Sequence, residues 1–331
     1  IIPVWSFMWG ISIEDYYNET GDAEFVREMW PYIQKNLAGA FEKIDPATGL
    51  LRCKEWNLFD WSRTDANHET LVYNSMFLAG ALNAAIKLAP VIGETCEELV
   101  FSRAELVKAI NRVWDNRKLA WPDRIDENGK GSSDIAVHTS MLSILYDCCS
   151  PEHFAMARAN TISPRNDLIK ISSPFASLYL YETFDKLELY KDILEAVYRD
   201  YLPMVDLDAS TVWETYAGAF EANGAFDFAN GFPTRSHCHG WSAAPVYFLP
   251  KIVLGISPVG AGGKKFKISP FFGNLEFASG VRPTVRGRIE VAWRKTDAHH
   301  VVIKVKAPAE IELEYAYNGS HDNLTVTMER V

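Results

Sequence analysis

The sequence predicts a mainly α-helical protein that ends in a small all-β domain. Apolar residues recur at helical spacing from residue 1 to about residue 255, and after Pro258 they alternate with polar residues. The segments between the long helical patterns are mostly short, which favours antiparallel helical hairpins. We therefore expect a helical domain over residues 1–255 and a small antiparallel β-sandwich over residues 256–331.

The apolar stripes of the first domain divide into about nine predicted helices. Asp22 is a candidate N-cap for the second helix, and Ser102 with Glu105 fits a capping box. Ser150 followed by Pro151 fits an N-cap with proline at the first helical position. Apolar segments with small residues, such as FLAGALNAAIKLA, are typical of inner helices that pack on two sides. The predicted helices are 1–17, 23–43, 67–90, 102–117, 133–146, 151–159, 173–184, 187–201 and 238–254.

The second domain begins after a glycine-rich segment. SPVGAGGKK, residues 257–265, is not a Walker phosphate loop, because Pro258 stands where glycine is required and no Ser or Thr follows the lysines. We interpret this segment as the turn that enters the first strand. The period-two pattern beyond it predicts five or six strands.

Composition excludes several classes of protein. The chain has 331 residues and a formal net charge of −10, which argues against a nucleic-acid binder. The best candidate for a membrane span, residues 243–256, is too short and is interrupted by Pro250 and Lys251, so we expect none. Five scattered cysteines without a CxxC pair predict neither a disulfide framework nor a zinc ribbon.

The aromatic content points toward carbohydrates. The chain contains 10 Trp, 14 Tyr and 18 Phe, and tryptophan at this density suits a protein that binds sugar rings as well as one with an aromatic core. The loop CKEWNLFDWSRTD, residues 53–65, combines Trp56 and Trp61 with carboxylates such as Asp60 and Asp65. A sugar-binding loop and an aromatic plug at one end of the helical domain are equally compatible with this pattern.

Glu214 is the strongest candidate for chemistry. It lies between Trp213 and Tyr216, and a carboxylate set against aromatic rings loses hydration, which suits it to proton transfer. The alternative is a surface glutamate at a helix start, where an acidic side chain is mildly stabilised.

Two histidines flank Cys238 in the sequence. His237, Cys238 and His239 are metal-ligand types, but no carboxylate or further cysteine lies at a recognised ligand spacing, so we expect no metal and no cofactor. A polar contact from His239 to a substrate is one interpretation. A hydrogen-bonded histidine at a helix start is the other.

Taken together, three groups of residues resemble the bacterial α-L-rhamnosidases of glycoside hydrolase family 78. They are WSFMWGISIEDYYNETGDAEFVREMWPYI with GLLRCKEWNLFDW, then STVWET, and finally SHCHGWSAAPVYFLPKIVLGISPVGAGGKKFKISP. The last is the most specific, with its Ser-x-x-His-x-Trp-Ser-Ala turn. The resemblance covers essentially the whole chain and implies an (α/α)6 barrel, a toroid of six helical hairpins, followed by a β-sandwich.

The resemblance also implies an activity and a set of site residues. Members of the family hydrolyse terminal α-L-rhamnosides in glycans or plant glycosides with inversion, using a carboxylic acid and a carboxylate base. The family's base maps to Glu214 and its substrate histidine to His239. The aromatic wall of its sugar pocket maps to Trp56 and Trp61, with Asp60 beside them, and Trp213 borders the same pocket.

The chain departs from the family in one respect. The family's general acid lies in an early Asp-x-Pro-x-Arg-Asp motif, which this sequence lacks. An (α/α)6 barrel also needs twelve helices, and Ile1 stands inside an apolar helical pattern. We therefore expect the first helices and the acid to precede residue 1 or to come from a partner fragment. Another (α/α)6 glycoside hydrolase and a non-catalytic carbohydrate-binding protein are the alternatives.

Overall fold

The computed structural model describes residues 2–64, 66–216, 235–316 and 325–330. The chain divides into two compact units. The first, mainly helical, consists of residues 1–14 and 24–243, and the second, mainly β, of residues 15–23 and 244–331. The predicted fold class, helical hairpins followed by a β domain, is confirmed. The predicted domain boundary at residue 255 remains a prediction; by compactness, the last helix groups with the strands.

The described residues contain nine α-helices close to the predicted positions. The fourth helix begins at Glu97, so Ser102 lies inside it and the predicted capping box is wrong. Ser150 occupies the N-cap position of the sixth helix, although its side chain makes no capping bond. The helices are α1 Pro3–Thr20, α2 Ala23–Phe41, α3 Val72–Leu88, α4 Glu97–Arg112, α5 Val137–Leu145, α6 Pro151–Ile162, α7 Pro174–Lys186, α8 Tyr190–Asp206 and α9 Ala244–Ile252.

Within the helical unit, α3, α5 and α7 form an inner row. Helix α3 packs against α4 and α5, α5 against α6 and α7, and α7 against α8. Nearly all side chains of α3 are buried, as its run of small and apolar residues predicts, whereas α4 buries only Leu106, Ala109 and Ile110. Close packing of the inner row also explains Gly80, because a Cβ there would lie 2.6 Å from the Tyr146 ring.

Segment Val72–Ile92 is long and apolar enough, by composition, to resemble a membrane span. Residues 243–256, the best candidate from the sequence, are a shorter apolar stretch than this one. In the structure 67% of the span-like window is buried, which is what an inner helix of a protein core requires.

The tryptophans of the first helices divide between core and surface. The helical pattern of the sequence predicts core positions for Trp5, Trp9, Trp30 and Trp114. Trp30 and Trp114 are buried, as predicted, whereas Trp9 is partly exposed. Trp5 is 47% exposed, so its assignment to the core was wrong. The buried face of α1 is taken by Val4 and Phe7, and Trp5 follows Val4 by about 100° around the helix.

Long connections alternate with short ones along the helical unit. The long ones are residues 42–71, 113–136, 163–173 and the stretch after α8 to which the described residues 207–216 and 235–243 belong. They contact one another: Leu71 forms a bridge with Arg124, and strand β1 (Ile135–Ala136) pairs in parallel with β2 (Leu168–Ile169). The long connections therefore bring together side chains that are far apart in the sequence.

The β unit contains two sheets. One has the strand order β3-β4-β8 and the other β5-β6-β7-β9. The glycine-rich segment is a turn, as predicted, but a strand ending at Pro258 precedes it and the next strand begins at Lys265, so the prediction that it enters the first strand was wrong. Pairs β4–β8 and β7–β9 are parallel, so the expectation of a purely antiparallel sandwich was wrong. The strands are β3 Ile256–Pro258, β4 Lys265–Ile268, β5 Phe277–Thr284, β6 Gly287–Asp297, β7 His300–Lys306, β8 Glu312–Tyr315 and β9 Thr325–Arg330.

Alternating side chains of these strands form one apolar core. On β6 and β7 every second residue is buried, among them Ile289, Val291, Trp293 and Ile303. This is the period-two pattern from which the strands were predicted.

Candidate active site

Glu214 lies at the meeting point of two long connections of the helical unit. Its carboxylate accepts a hydrogen bond at Oε1 from the indole Nε1–H of Trp61, over 2.9 Å. Oε2 accepts one from the backbone N–H of Ser236, over 3.1 Å. His239 Nδ1 lies 3.6 Å from Oε2, close enough for an ion pair when the imidazole is protonated. The side chain is 13% exposed, so Glu214 is held in place and still reaches solvent.

Residues 235–242 form hydrogen bonds with the backbone on both sides of Glu214. The N–H of Glu214 donates to the carbonyl of Ser236, and the N–H of His239 donates to that of Val212. Trp241 Nε1–H donates to the carbonyl of Glu214 over 3.1 Å, and Ser242 Oγ to that of Trp213 over 2.6 Å.

The contacts of this turn explain the Ser-x-x-His-x-Trp-Ser spacing. All four named residues of the motif, Ser236, His239, Trp241 and Ser242, contact the segment that carries Glu214. The turn and the STVWET segment form one unit of structure.

Trp56 and Trp61 form an aromatic corner beside Glu214. Their ring centroids are 5.8 Å apart and the rings are tilted by 54°. Trp56 is 43% exposed, so it offers an aromatic surface to a ligand. The guanidinium carbon of Arg235 lies 3.6 Å from the centroid of the Trp61 ring, a cation–π contact on one side of the indole.

The loop that carries these two tryptophans has a buried part and an exposed part. Phe59 is buried and packs its ring against Tyr73, Phe77 and Tyr179 in the helical core. Trp56 on the same loop faces solvent. Asp65 falls outside the described residues.

Trp213 and the two histidines are also close to Glu214. The ring of Trp213 stacks on His237 with centroids 4.4 Å apart and planes 11° apart. The ring of His239 lies 4.2 Å from that of Trp241. His239 is half-buried with its Nδ1 toward Glu214, whereas His237 and Cys238 are exposed.

The side chain of Asp60 points into the helical unit, whereas that of the next residue, Trp61, points toward Glu214. The Asp60 side chain is 0% exposed. Oδ1 accepts a hydrogen bond from Ser173 Oγ over 2.5 Å, and Oδ2 accepts one from the Ser172 N–H over 2.9 Å and lies 2.8 Å from His138 Nε2. With no exposed surface, the Asp60 carboxylate is out of reach of a sugar hydroxyl in this arrangement.

Sequence reasoning therefore placed Trp56, Trp61, Trp213, Glu214 and His239 in one region, and the structure brings them together. It missed Ser236, which donates to the carboxylate, Arg235, which lies over the Trp61 ring, and the anchors of Asp60. The Ser-x-x-His-x-Trp-Ser spacing carried a signal for Ser236. No sequence pattern links residue 60 to His138 or Ser173.

The carboxylate of Glu214 keeps an acceptor position for one more hydrogen bond. An ionised carboxylate has about four acceptor positions, and Trp61, Ser236 and His239 approach only three of them. Glu214 can therefore accept a further hydrogen bond from a water molecule. Across the described ranges, no group of three or more His, Cys, Asp and Glu side chains is arranged to hold a metal ion.

Two family profiles match the chain. The profile described as the bacterial alpha-L-rhamnosidase 6 hairpin glycosidase domain matches residues 2–253, and that of the bacterial alpha-L-rhamnosidase C-terminal domain matches residues 255–329. A curated relative, the alpha-L-rhamnosidase of Formosa agariphila, is 24% identical over 318 residues, which are 90% of this chain and 32% of the relative.

Solved structures show the same likeness. The GH78 family rhamnosidase of Bacillus sp. GL1 has a TM-score of 0.92 and 30% identity, over 100% of this chain and 34% of that one. The Klebsiella oxytoca rhamnosidase with rhamnose bound shares the fold, with a TM-score of 0.62 and 19% identity over 75% of this chain and 47% of its own.

The chain spans about a third of the length of the Formosa and Bacillus relatives. Both of its units are nevertheless covered by the family profiles, in the order in which the profiles' names place them. The chain belongs to the bacterial α-L-rhamnosidases of glycoside hydrolase family 78.

Proposed function

We propose that the protein hydrolyses terminal α-L-rhamnosides, in glycans or plant glycosides, with inversion at the anomeric carbon, and that Glu214 is the general base. One observation carries the proposal: the Glu214 carboxylate is nearly buried among aromatic rings, is held by two N–H donors, and keeps an acceptor position for water. A fixed carboxylate of this kind can orient a water molecule and take its proton.

The reaction has two proton transfers. Glu214 removes a proton from the attacking water while the oxygen of the water bonds to the anomeric carbon. A carboxylic acid on the opposite side protonates the leaving oxygen, and inverting pairs stand roughly 6.5–9.5 Å apart to admit the water. The family's acid motif does not occur in these 331 residues, so we propose that the acid is supplied from outside them.

The sugar pocket is proposed to lie over the aromatic corner. The exposed ring of Trp56 and the neighbouring Trp61 suit the C–H face of a rhamnose ring. His239 borders the same carboxylate and can contact a sugar hydroxyl through its second ring nitrogen. Trp213, which precedes Glu214 in the chain and stacks on His237, is proposed to contribute a further aromatic surface. The proposed ligand is therefore a rhamnose-containing carbohydrate.

The test is a Glu214→Gln variant of the protein at its full natural length, assayed on an aryl α-L-rhamnoside. Loss of a general base lowers kcat by about 10²–10⁴-fold. Glu98→Gln is the matched control, because Glu98 is an exposed carboxylate in the first turn of α4. Near-wild-type turnover by the Glu214 variant would remove the assignment. A preference for another glycoside in a substrate panel would replace rhamnose as the substrate.

A further inference from the structure

Asp60 and Trp61 are consecutive residues with opposite directions. Trp61 reaches Glu214, 153 positions away in the chain. Asp60 reaches the first turns of two inner helices: His138 is the second residue of α5, and Ser173 is the N-cap of α7. The two neighbours therefore join the helical core to the proposed base.

The anchor of Asp60 is built from three donors. Ser172 N–H and Ser173 Oγ–H lie at the end of the connection before α7, and His138 Nε2 completes the set. Ser172 is half-buried, while Ser173 and His138 are buried. Both α5 and α7 direct their N-terminal turns at the carboxylate, an arrangement that favours a negative charge.

The orientation of His138 follows from its two ring nitrogens. Nδ1 is buried and has no hydrogen-bond partner among the described residues, whereas Nε2 lies 2.8 Å from Asp60 Oδ2. The hydrogen is therefore assigned to Nε2, which donates to the carboxylate. Only this nitrogen contributes to the anchor.

We propose that Asp60 is a positioning residue for the site: it fixes the loop so that the Trp61 indole N–H holds Glu214. The proposal rests on the function proposed above, in which Glu214 is the base. It replaces a direct contact of Asp60 with the sugar, since a side chain that is 0% exposed is out of reach of a ligand in the open part of the site.

The effect of a substitution at Asp60 should grow with the number of its three hydrogen bonds that are lost. Asn in place of Asp keeps an oxygen for Ser173 and can donate its amide hydrogen to Nε2 if His138 shifts its hydrogen to the unpartnered Nδ1. The same amide then faces the N–H of Ser172, so that one of three hydrogen bonds is lost. Asp60→Ala loses all three and should have the larger effect.

His138 provides a sharper pair of variants. The amide nitrogen of Gln reaches the position of Nε2 in histidine, whereas the shorter Asn reaches that of Nδ1. His138→Gln should therefore keep the donor to Asp60 and behave like the wild type. His138→Asn should lose the donor and behave like Asp60→Asn.

The experiment records two properties of each variant, made in the protein at its full natural length. The first is the ¹H–¹⁵N resonance of the Trp61 indole N–H, identified by its absence in Trp61→Phe. The second is the pair kcat and KM on an aryl α-L-rhamnoside. Gly80→Ala, a packing variant of α3 that leaves all three donors to Asp60 in place, controls for general loss of stability.

The expected result is that Asp60→Asn and His138→Asn move the Trp61 indole resonance and lower kcat about ten-fold or more, while His138→Gln and Gly80→Ala leave the resonance in place. An unmoved resonance in both Asn variants would overturn the proposal. So would a raised KM with an unmoved resonance, because Asp60 would then contact the sugar. If Asp60→Asn does not fold, the two His138 variants decide alone.

These outcomes are separable from those for Glu214. Full activity of Glu214→Gln together with a moved indole resonance in Asp60→Asn would refute the proposed base and leave the positioning role intact. Loss of activity in Glu214→Gln with an unmoved resonance in the Asn variants would do the reverse.

Discussion

The indole nitrogen of Trp61 donates a hydrogen bond of 2.9 Å to Oε1 of Glu214. A carboxylate acceptor makes this bond stronger than one between neutral groups. Together with the Ser236 N–H on the other oxygen, it sets the direction of the carboxylate from two sides. Trp61 is therefore both a part of the aromatic corner and a support of the proposed base.

Replacing Trp61 by Phe should lower kcat on an aryl α-L-rhamnoside about ten-fold or more. The ring is kept in large part, but the N–H donor to Glu214 is lost, and hydrogen bonds to charged groups contribute about 1.5–3 kcal/mol. Steady-state kinetics of the protein at its full natural length measures the effect.

Trp30→Phe is the matched control for that measurement. Trp30 is buried in α2, and its indole nitrogen has no hydrogen-bond partner in the described part of the chain. Its substitution removes ring area without breaking such a bond. Equal loss of kcat in both variants would show that the N–H of Trp61 has no special role.

Gly80→Ala should destabilise the helical unit by about 1–3 kcal/mol. The new Cβ would lie 2.6 Å from the Tyr146 ring, so a buried ring must shift. Gly39→Ala, in helix α2, meets nothing within 4 Å and should instead stabilise the protein by about 0.5–1 kcal/mol. Urea unfolding of both variants gives the two signs, and a stabilised Gly80 variant would contradict the packing of α3.

Thiol labelling should separate Cys238 from the buried cysteines. Burial raises the pKa of the Cys148 thiol to about 12 and that of Cys53 to about 11, so both remain protonated at neutral pH. Cys238 is exposed. Mass spectrometry after brief alkylation at pH 8 should find Cys238 modified first, and equal rates at Cys148 would show that the core is open.

The raised thiol pKa values also give a sign for the pH dependence of stability. The unfolded thiols ionise near pH 9.0, whereas the folded ones stay protonated to higher pH. Their contribution to stability is therefore complete below pH 9 and is lost as the pH rises toward the folded values.

The sequence predicted the order of helices and strands well, because burial periodicity is a local property. It erred where tertiary contacts decide. Ser102 fits a cap, yet α4 begins five residues earlier, at Glu97; Trp5 is apolar, yet Val4 and Phe7 take the buried face of α1. The parallel pairing of β4 with β8 depends on the connection between the two sheets, which local alternation cannot reveal.

For the candidate site too, the sequence predicted some residues and missed the contacts that depend on the tertiary structure. Aromatic neighbours marked Glu214, and the resemblance to a family marked His239 and Trp61. The contact between Trp61 and Glu214 joins two long connections, so spacing along the chain could not predict it. Asp60 was grouped with the sugar-binding residues because it adjoins Trp61, but consecutive residues of a loop can face opposite sides, and Asp60 faces the core.

The most direct test of the account is the reaction of Glu214→Ala with an activated aryl α-L-rhamnoside, with and without sodium azide, in the protein at its full natural length. Without its base the variant should no longer activate water. Azide, which needs no base, should enter the vacated space, bond to the anomeric carbon as the aryl oxide leaves, and give the β-L-rhamnosyl azide. Wild-type hydrolysis by the variant, or an azide product of retained α configuration, would contradict an inverting reaction with Glu214 as the base.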